Sequence, residues 1–388
     1  MNFDLSEEQQ MIVDSVAKFV ANDSPVERFR KLRDSERGWD PEVWKRMGEF
    51  GWLGVAYPEE QGGFGGDFVD LALILEQLGK GLVPEPLLPS VVLAGGLISR
   101  LGTEAQVKAF LEPMVEGETS LALAYAERQS RYCLSDCLTT AEREDGSDLF
   151  TLNGEKTWVL NGAFADQIVV VARTEGQPQD ERGLSLFIVD GNAARLTRTV
   201  VRGMDGHRTG LLNFDGVQVS ADRLLGAQGE ALSHLEWAMD RGAAAACAEG
   251  QGQIQELFDH SVAYLKERKQ FGVPIGSFQA LQHRAADMFA EVELCKSTMI
   301  LAAILVDSED PEERMAEISA AKLQLSDGGW FVQKNAIQLL GGIGVTDEQD
   351  EGLLFKRLRV LQGLFGDADH HVERFQTREG FDAHLRVP

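Results

Sequence analysis

The sequence predicts a mainly α-helical protein with a central β domain, and three observations carry that prediction. Apolar residues recur at helical spacing over roughly the first 118 positions, the period falls to two between about 119 and 228, and helical spacing returns from 229 to the end. The middle block carries two Asn-Gly pairs between short apolar runs, the chemistry of tight turns between strands. The last block divides into segments long enough for a four-helix bundle. The expected domains are therefore 1–118, 119–228 and 229–388.

In the first block, Ser6 and Gln9 form a capping-box pattern ahead of the stripe Ile12, Val16, Phe19 and Val20. Asp40 and Pro41 suit an N-cap and first turn, and Trp44, Met47 and Phe50 share one face up to Gly51. GGFGGD reads as a loop, since it has neither a preceding apolar strand nor a following Lys-Ser/Thr pair to make a phosphate cradle. Asp67 caps a helix through Leu78 that ends in Gly79, and Val83–Pro89 reads as an extended crossing. In the middle block, strands flank Asn153-Gly154, and Asn161-Gly162 precedes the run Ile168–Ala172. Leu184–Val189 and Leu211–Val219 extend an antiparallel barrel or sandwich. The last block gives helices over Leu232–Lys269, Phe278–Val306, Pro311–Leu340 and Leu353–Leu361, then a short segment around His371–Phe375. Ala285, Met288, Phe289, Val292, Cys295, Met299 and Ala302 form one stripe.

Composition bounds the function. The chain has 388 residues, 44% of them hydrophobic, enough for two or three folding units. Its formal charge is 37 − 62 = −25, which repels nucleic acid and anionic membranes, so a nucleotide cofactor must be held by local donors. With no run of eighteen apolar residues and no signal-peptide pattern in MNFDLSEEQQ, the expectation is a cytoplasmic protein without a membrane span. Cys133, Cys137, Cys247 and Cys295 are sparse, so reduced thiols are the default. Cys133 and Cys137 have no second ligand pair nearby, and no metal is expected.

The stretch Tyr264–His283, YLKERKQFGVPIGSFQALQH, places Arg268, Lys269 and Phe271 within four residues. A guanidinium fork, a point charge and a ring suit the phosphates and adenine of a nucleotide, although basic residues also close helices simply to match the dipole. Arg-x-x-Phe-Gly-x-Pro-Ile followed by Gln279 resembles the flavin-binding helix–loop–helix of the acyl-CoA dehydrogenases. LNGEKTWVLNGAFAD, FDGVQVSADRLLG, IQLLGGIGVTDE and the Pro58–Gly65 loop before Glu76–Gly79 resemble further motifs of that family, so the resemblance spans the chain. The nearest type is the small subunit of the pimeloyl-CoA dehydrogenases.

The resemblance implies the acyl-CoA dehydrogenase fold, FAD lying between the β domain and the bundle, and α,β-dehydrogenation of an acyl-CoA thioester to the trans-2-enoyl-CoA. It also implies a homo- or hetero-oligomer arranged as a dimer of dimers, and electron-transferring flavoprotein as acceptor. Trp158 takes the place of the tryptophan that shields the isoalloxazine, where its alternative is a core aromatic. Tyr125, Ala126 and Glu127 match the strand end along the flavin, with Val159 and Leu160 following at its edge. Arg268, Phe271, Gln338, Gly341 and Gly342 match residues that reach a neighbouring subunit's FAD, and Asp367 and Asp369 fall in the loop lying against the flavin. Gly341-Gly342-Ile343-Gly344 also reads as a dinucleotide fingerprint, but it follows a helix rather than a strand.

Two departures stand out. The family's glycine-rich loop is AERQSRY here, which leaves Arg128, Ser130 and Arg131 as candidates for the CoA phosphate. Phe365 of Leu364-Phe365-Gly366-Asp367 stands where most members have the catalytic Glu. Some members carry the base on the first bundle helix immediately before an arginine, and Asp240-Arg241 sits there. Asp240 is the first candidate base, Asp367 the second, and Arg241 a substrate contact; the alternative for Asp240 is a paired surface acid. The competing functional expectations are a non-catalytic or half-site subunit of a heteromeric dehydrogenase and a flavin-free scaffold that binds acyl-CoA without turnover.

Overall fold

The computed structural model describes residues 5–143 and 146–377. They form two compact units, one of residues up to Arg30, Phe68–Val83 and Ala243 onward, the other of Lys31–Asp67 and Pro84–Gly242.

The first unit is helical. In α1 (Glu7–Asn22) the Ser6 side chain accepts from Gln9 N and the Gln9 side chain from Ser6 N, as the capping box predicts. After α2 (Val26–Leu32), α3 (Pro41–Glu49) belongs to the second unit and starts at the Asp40 cap; α4 (Phe68–Lys80) returns to the first. α4 passes through Gly79 instead of ending there. Gly79 is a packing residue: a Cβ on it would lie 2.2 Å from the Glu249 carbonyl, and one on Gly252 would lie 1.9 Å from the Glu76 carbonyl. α4 and α8 (Leu232–Glu267) thus cross backbone against backbone, and Arg357 grips Glu249 beside the crossing with two bonds of 2.6 and 2.9 Å. The helices α9 (Gln279–Leu305), α10 (Pro311–Leu340), α11 (Glu351–Gly363) and α12 (Ala368–Gln376) fall close to their expected ranges. Of the α9 stripe, Met288, Val292, Cys295, Met299 and Ala302 are buried, while Phe289 is exposed.

The second unit holds α3, α5 (Gly96–Leu101), α6 (Glu104–Gln106), α7 (Glu112–Val115) and the sheet. Val83–Pro89 is extended only in its first half. Helical structure begins at Leu87 and a π-turn runs over Leu88–Gly95, because proline is tolerated in a first turn where its missing N–H has no partner to lose. The strands are β1 (Leu121–Ala124), β2 (Thr140–Arg143), β3 (Leu149–Leu160), β4 (Gln167–Arg173), β5 (Leu184–Asp190), β6 (Leu196–Arg202), β7 (Arg208–Ser220) and β8 (Leu224–Leu225). They form one sheet ordered β6-β7-β3-β2-β4-β5-β8, with β1 beside β4. The sheet is mixed rather than purely antiparallel, since β1 and β2 pair with β4 in parallel. Asn153-Gly154 is not a turn: β3 runs through it, with a register shift against β7 where a Cβ on Gly154 would lie 2.6 Å from Thr139. Asn161, at φ 57°, does open a turn. Inward residues Phe150, Leu152, Ile168, Val170, Phe187 and Phe214 fill one core.

Candidate functional site

In the second unit, β3 loses its alternation at Lys156, Thr157 and Trp158, where a second register shift against β7 falls between Lys156 and Val159. Trp158 adopts φ 52° and stands 61% exposed, so it is not a core aromatic of the chain. Thr157 N donates to the Ala126 carbonyl at 2.8 Å, tying the strand end Tyr125–Glu127 to the peptide before Trp158. Val159 turns inward, 2% exposed, and Leu160 is half-buried. The structure therefore brings Tyr125, Ala126, Glu127, Trp158, Val159 and Leu160 together.

Beneath them is a group that sequence reasoning missed. Lys156 is fully buried, and its Nζ donates to Glu127 Oε1 at 2.7 Å and to the Tyr125 carbonyl at 3.2 Å. The same carboxylate accepts from Thr139 N, Thr139 Oγ1 and Leu138 N. Burial works to raise the Glu127 pKa, but Lys156 and these hydrogen bonds outweigh it and hold the carboxyl at about 2. The signal was legible in hindsight: counting by two from Phe150 and Leu152 reaches Lys156 on the inward face.

Ser130 cannot serve a CoA phosphate in this arrangement. It is 5% exposed, and its hydroxyl accepts from Glu127 N and donates to the Glu127 carbonyl, because a loop without glycines needs that local brace. Arg128 and Arg131 are exposed. On α8, Asp240 is 1% exposed and Arg241 7%, with Ala243–Ala246 buried after them, so Asp240 is not a surface acid. Trp237 lies between two guanidinium groups, Arg100 at 4.7 Å and Arg241 at 4.9 Å, and the Arg241 charge also reaches the buried Tyr57.

In the first unit, residues after Glu267 do not form a plain loop between helices. Lys269-Gln270 pairs with Val273-Pro274 in a hairpin, made possible by positive φ at both Phe271 (53°) and Gly272 (83°). Phe271 is 91% exposed at its tip, and Arg268 is exposed beside it. Tyr264 Oη donates to the Leu340 carbonyl at 3.5 Å, which joins this segment to the end of α10. There Gln338, Gly341 and Gly342 are exposed, and nothing lies within 4 Å of where a Cβ on either glycine would be. Outward rings, an outward guanidinium and open backbone fit a large planar dinucleotide such as FAD.

The segment after α11 is closely held. Phe365 is buried at φ 60°, and Gly366 follows at φ 116°. Asp367 caps α12 by accepting from His370 N at 3.0 Å, and Asp369 is exposed. His371 Nδ1 lies 3.3 Å from Ser319 Oγ and Nε2 lies 3.1 Å from the Phe365 carbonyl. Burial, then the Lys322, His370 and Arg374 charges, push its pKa down to about 3, so the ring is neutral. A carbonyl only accepts, so the single N–H sits on Nε2 and Nδ1 accepts from Ser319. Lys322, also unpredicted, is fully buried with Nζ donating to the carbonyls of Leu361, Gln362 and Leu364 at 2.7, 3.2 and 2.7 Å. Burial lowers its pKa to about 8. Among the described residues, no cluster of three or more His, Cys, Asp or Glu is placed to hold a metal, and no helix is long and apolar enough to cross a membrane.

Comparison with known proteins shows the family. The acyl-CoA dehydrogenase N-terminal domain matches residues 6–118, the middle domain 122–217 and the C-terminal domain 232–378. Probable acyl-CoA dehydrogenase YngJ of Bacillus subtilis is 31% identical over 379 residues, covering 96% of this chain and 98% of its own. The caffeyl-CoA reductase–Etf complex subunit CarC of Acetobacterium woodii is 29% identical, covering 92% and 94%. Butyryl-CoA dehydrogenase from Megasphaera elsdenii superposes with a TM-score of 0.90 at 28% identity over all of both chains. The ChsE4–ChsE5 complex from Mycobacterium tuberculosis superposes at 0.86 and 25% identity, again over all of both chains. The chain belongs to the acyl-CoA dehydrogenase family of flavoprotein oxidoreductases.

Proposed function

We propose that the protein binds FAD and removes the α and β hydrogens of an acyl-CoA thioester to give the trans-2-enoyl-CoA. The observation that carries the reading is Trp158, an aromatic held outward by a left-handed backbone at a break in the β3–β7 ladder. Bound FAD supplies the acceptor for the β-hydrogen, which leaves as hydride. The chain would supply the rest: Trp158 would cover a ring face, the Tyr125–Glu127 and Val159–Leu160 backbones would line its edge, and Arg268, Phe271, Gln338, Gly341 and Gly342 would hold adenine and pyrophosphate across a subunit boundary. Arg128 and Arg131 are the exposed cations for the CoA phosphate. Asp240 takes the α-proton, with Arg241 next to it in the chain. Burial of a carboxylate is costly, so a buried Asp next to a buried Arg is expected to have a purpose.

A second reading is favoured by one observation. Phe365 fills the place of the family's usual Glu and is buried there, as suits a non-catalytic or half-site subunit of a heteromeric dehydrogenase, such as a small subunit of the pimeloyl-CoA type. The relatives bear on both readings, since the ChsE4–ChsE5 match is a complex and CarC is named as part of a reductase–Etf complex. By that analogy this chain assembles as a homo- or hetero-oligomer, a dimer of dimers, in the cytoplasm and passes electrons to an electron-transferring flavoprotein. The test is anaerobic mixing of the purified yellow protein with straight, branched, dicarboxyl and steroid acyl-CoAs. Bleaching of the flavin by one class identifies the substrate; a yellow protein that no acyl-CoA bleaches supports the half-site reading, and a colourless one refutes both.

A further inference from the structure

The buried base and the missing Glu leave unexplained why α10 carries a fully buried lysine. Lys322 Nζ has three donors, and all three meet main-chain carbonyls, of Leu361 and Gln362 in the last turn of α11 and of Leu364 just after it. Those carbonyls have no partner inside their own helix, and the negative end of the helix dipole lies there. The next residues are strained: Phe365 at φ 60° is a side-chain-bearing residue in a left-handed conformation. Gly366 lies so close to the imidazoles that a Cβ on it would sit 2.4 Å from His370 Cδ2 and 2.6 Å from His371 Nε2. His371, itself braced by Ser319 of α10, donates to the Phe365 carbonyl. Lys322 of α10 and His371 of α12, braced by Ser319 of α10, therefore hold the carbonyls of residues 361, 362, 364 and 365 around the strained backbone.

We infer that Lys322 and His371 form a clamp that positions the Phe365–Asp367 turn, and with it the surface this turn presents to acyl-CoA, and that the clamp needs Lys322 as an ammonium. The inference rests on the acyl-CoA reading above. A neutral amine has two donors for three carbonyls, so one must be released on deprotonation. The groups facing Lys322 are Cys247 of α8, Asp367 of the turn and His371 of α12, with His370 and Arg374 behind His371 and Cys295 of α9 behind Cys247. Both thiols are pushed up to about 12 and His371 down to about 3, while Lys322 sits at about 8. This leaves the ammonium as the group placed to lose its charge between pH 7 and 9.

A purely structural lysine predicts the opposite response. Its pKa in the fold lies below the ordinary 10.5, so the unfolded chain binds the extra proton between about 8 and 10.5 and global stability rises with pH over that window. The clamp predicts that residues 364–371 loosen while the unit as a whole becomes more stable.

The experiment uses the FAD-loaded protein and its Lys322→Met variant, with two readouts from pH 6.5 to 9. Hydrogen exchange is followed on the peptide covering 361–371, corrected for intrinsic rates, and anaerobic flavin bleaching is followed with the best acyl-CoA. Wild type should lose protection in that peptide, and bleaching rate in parallel, with a midpoint near pH 8. Lys322→Met should remain yellow and folded, lack that protection by tenfold or more at every pH, and bleach at least tenfold more slowly with a flat profile. Flat wild-type profiles, or a variant that matches wild type in both readouts, overturn the clamp. Loss of exchange protection with unchanged bleaching overturns its role in positioning. If no acyl-CoA bleaches the wild type, the dehydrogenase reading fails instead. The clamp is then decided by exchange together with the acyl-CoA-induced shift of the flavin spectrum, and equal shifts in wild type and variant overturn it.

Discussion

Removing the Lys156 ammonium tests the ion pair beneath the proposed flavin edge. In the native protein Glu127 is buried and held at about 2, against an ordinary 4.5. A displacement of that size corresponds to about 3 kcal/mol of stability at neutral pH, by about 1.4 kcal/mol for each pH unit. Because the carboxyl is depressed, this stability is fully present above about pH 4.5 and is lost as pH falls toward 2. Lys156→Met keeps the length of the side chain and deletes the charge, leaving Glu127 with Thr139 and Leu138 as donors but no cation. Breaking a buried pair from one side typically costs about 3–5 kcal/mol. For a unit of roughly 150–250 residues that lowers the melting temperature by about 2–4 °C per kcal/mol, so a fall of about 6–20 °C is expected at pH 7. Burial is then opposed only by hydrogen bonds and the Glu127 pKa rises, so the variant takes up its proton earlier than wild type and the gap between them shrinks as pH falls from 6 to 3. The double variant Glu127→Gln, Lys156→Met should recover part of the loss, since no buried charge is left alone. Thermal unfolding by circular dichroism across pH 3–8 reads all three. A single variant within about 1 kcal/mol of wild type at pH 7, or a gap that does not close in acid, would refute the reasoning.

Arg268→Ala should lower FAD content and oligomer size together, as seen by absorbance and sedimentation; a monomer with stoichiometric FAD would contradict the reading of Arg268 as a group that reaches another subunit. Trp158→Ala should shift the visible flavin spectrum and weaken FAD retention while leaving circular dichroism unchanged. Gly252→Ala drives a methyl into the Glu76 carbonyl at 1.9 Å, so α4 and α8 must separate, and urea unfolding should show a loss of about 1–3 kcal/mol. Asp240→Asn should keep FAD and acyl-CoA binding but slow bleaching by about 10²- to 10⁴-fold, the usual effect of losing a positioned base. Asp367→Asn should disturb flavin binding more than chemistry, and the reverse pattern in single-turnover reduction would move the base to Asp367.

What the sequence made legible was periodic or punctuated. The Ser6–Gln9 box, the Asp40 cap and the start of α10 at Pro311 follow from local rules, and the structure reproduces them. Errors arose where a glycine or proline had two meanings. Gly79 reads as a helix stop, yet it lies inside α4 because another backbone must approach it, a tertiary demand with no local signature. Asn153-Gly154 has the composition of a hairpin turn, but both residues pair with β7, and the register shift beside them leaves Gly216 of β7 unpaired. Of the residues that the sequence motifs single out for the proposed site, Trp158, Arg268 and Phe271 face outward. Their buried neighbours are harder to read: strand parity alone points to Lys156, between Glu155 and Thr157, Lys322 is a single cation between Ala321 and Leu323, and only the fold supplies the carboxylate and the three carbonyls that make their burial tolerable.

Lys322 bears on the proposal that the base lies outside the turn after α11. The turn after α11 is held on both sides of Phe365, by Lys322 at the Leu364 carbonyl and by His371 at the Phe365 carbonyl. A relic of a lost site would be expected to relax, since left-handed backbone at a phenylalanine and a buried ammonium are both costly and nothing local requires them. Their presence supports the proposal that the turn is held for a task. Aspartate is one methylene shorter than glutamate, so a base at 240 works only if the substrate is pressed toward it.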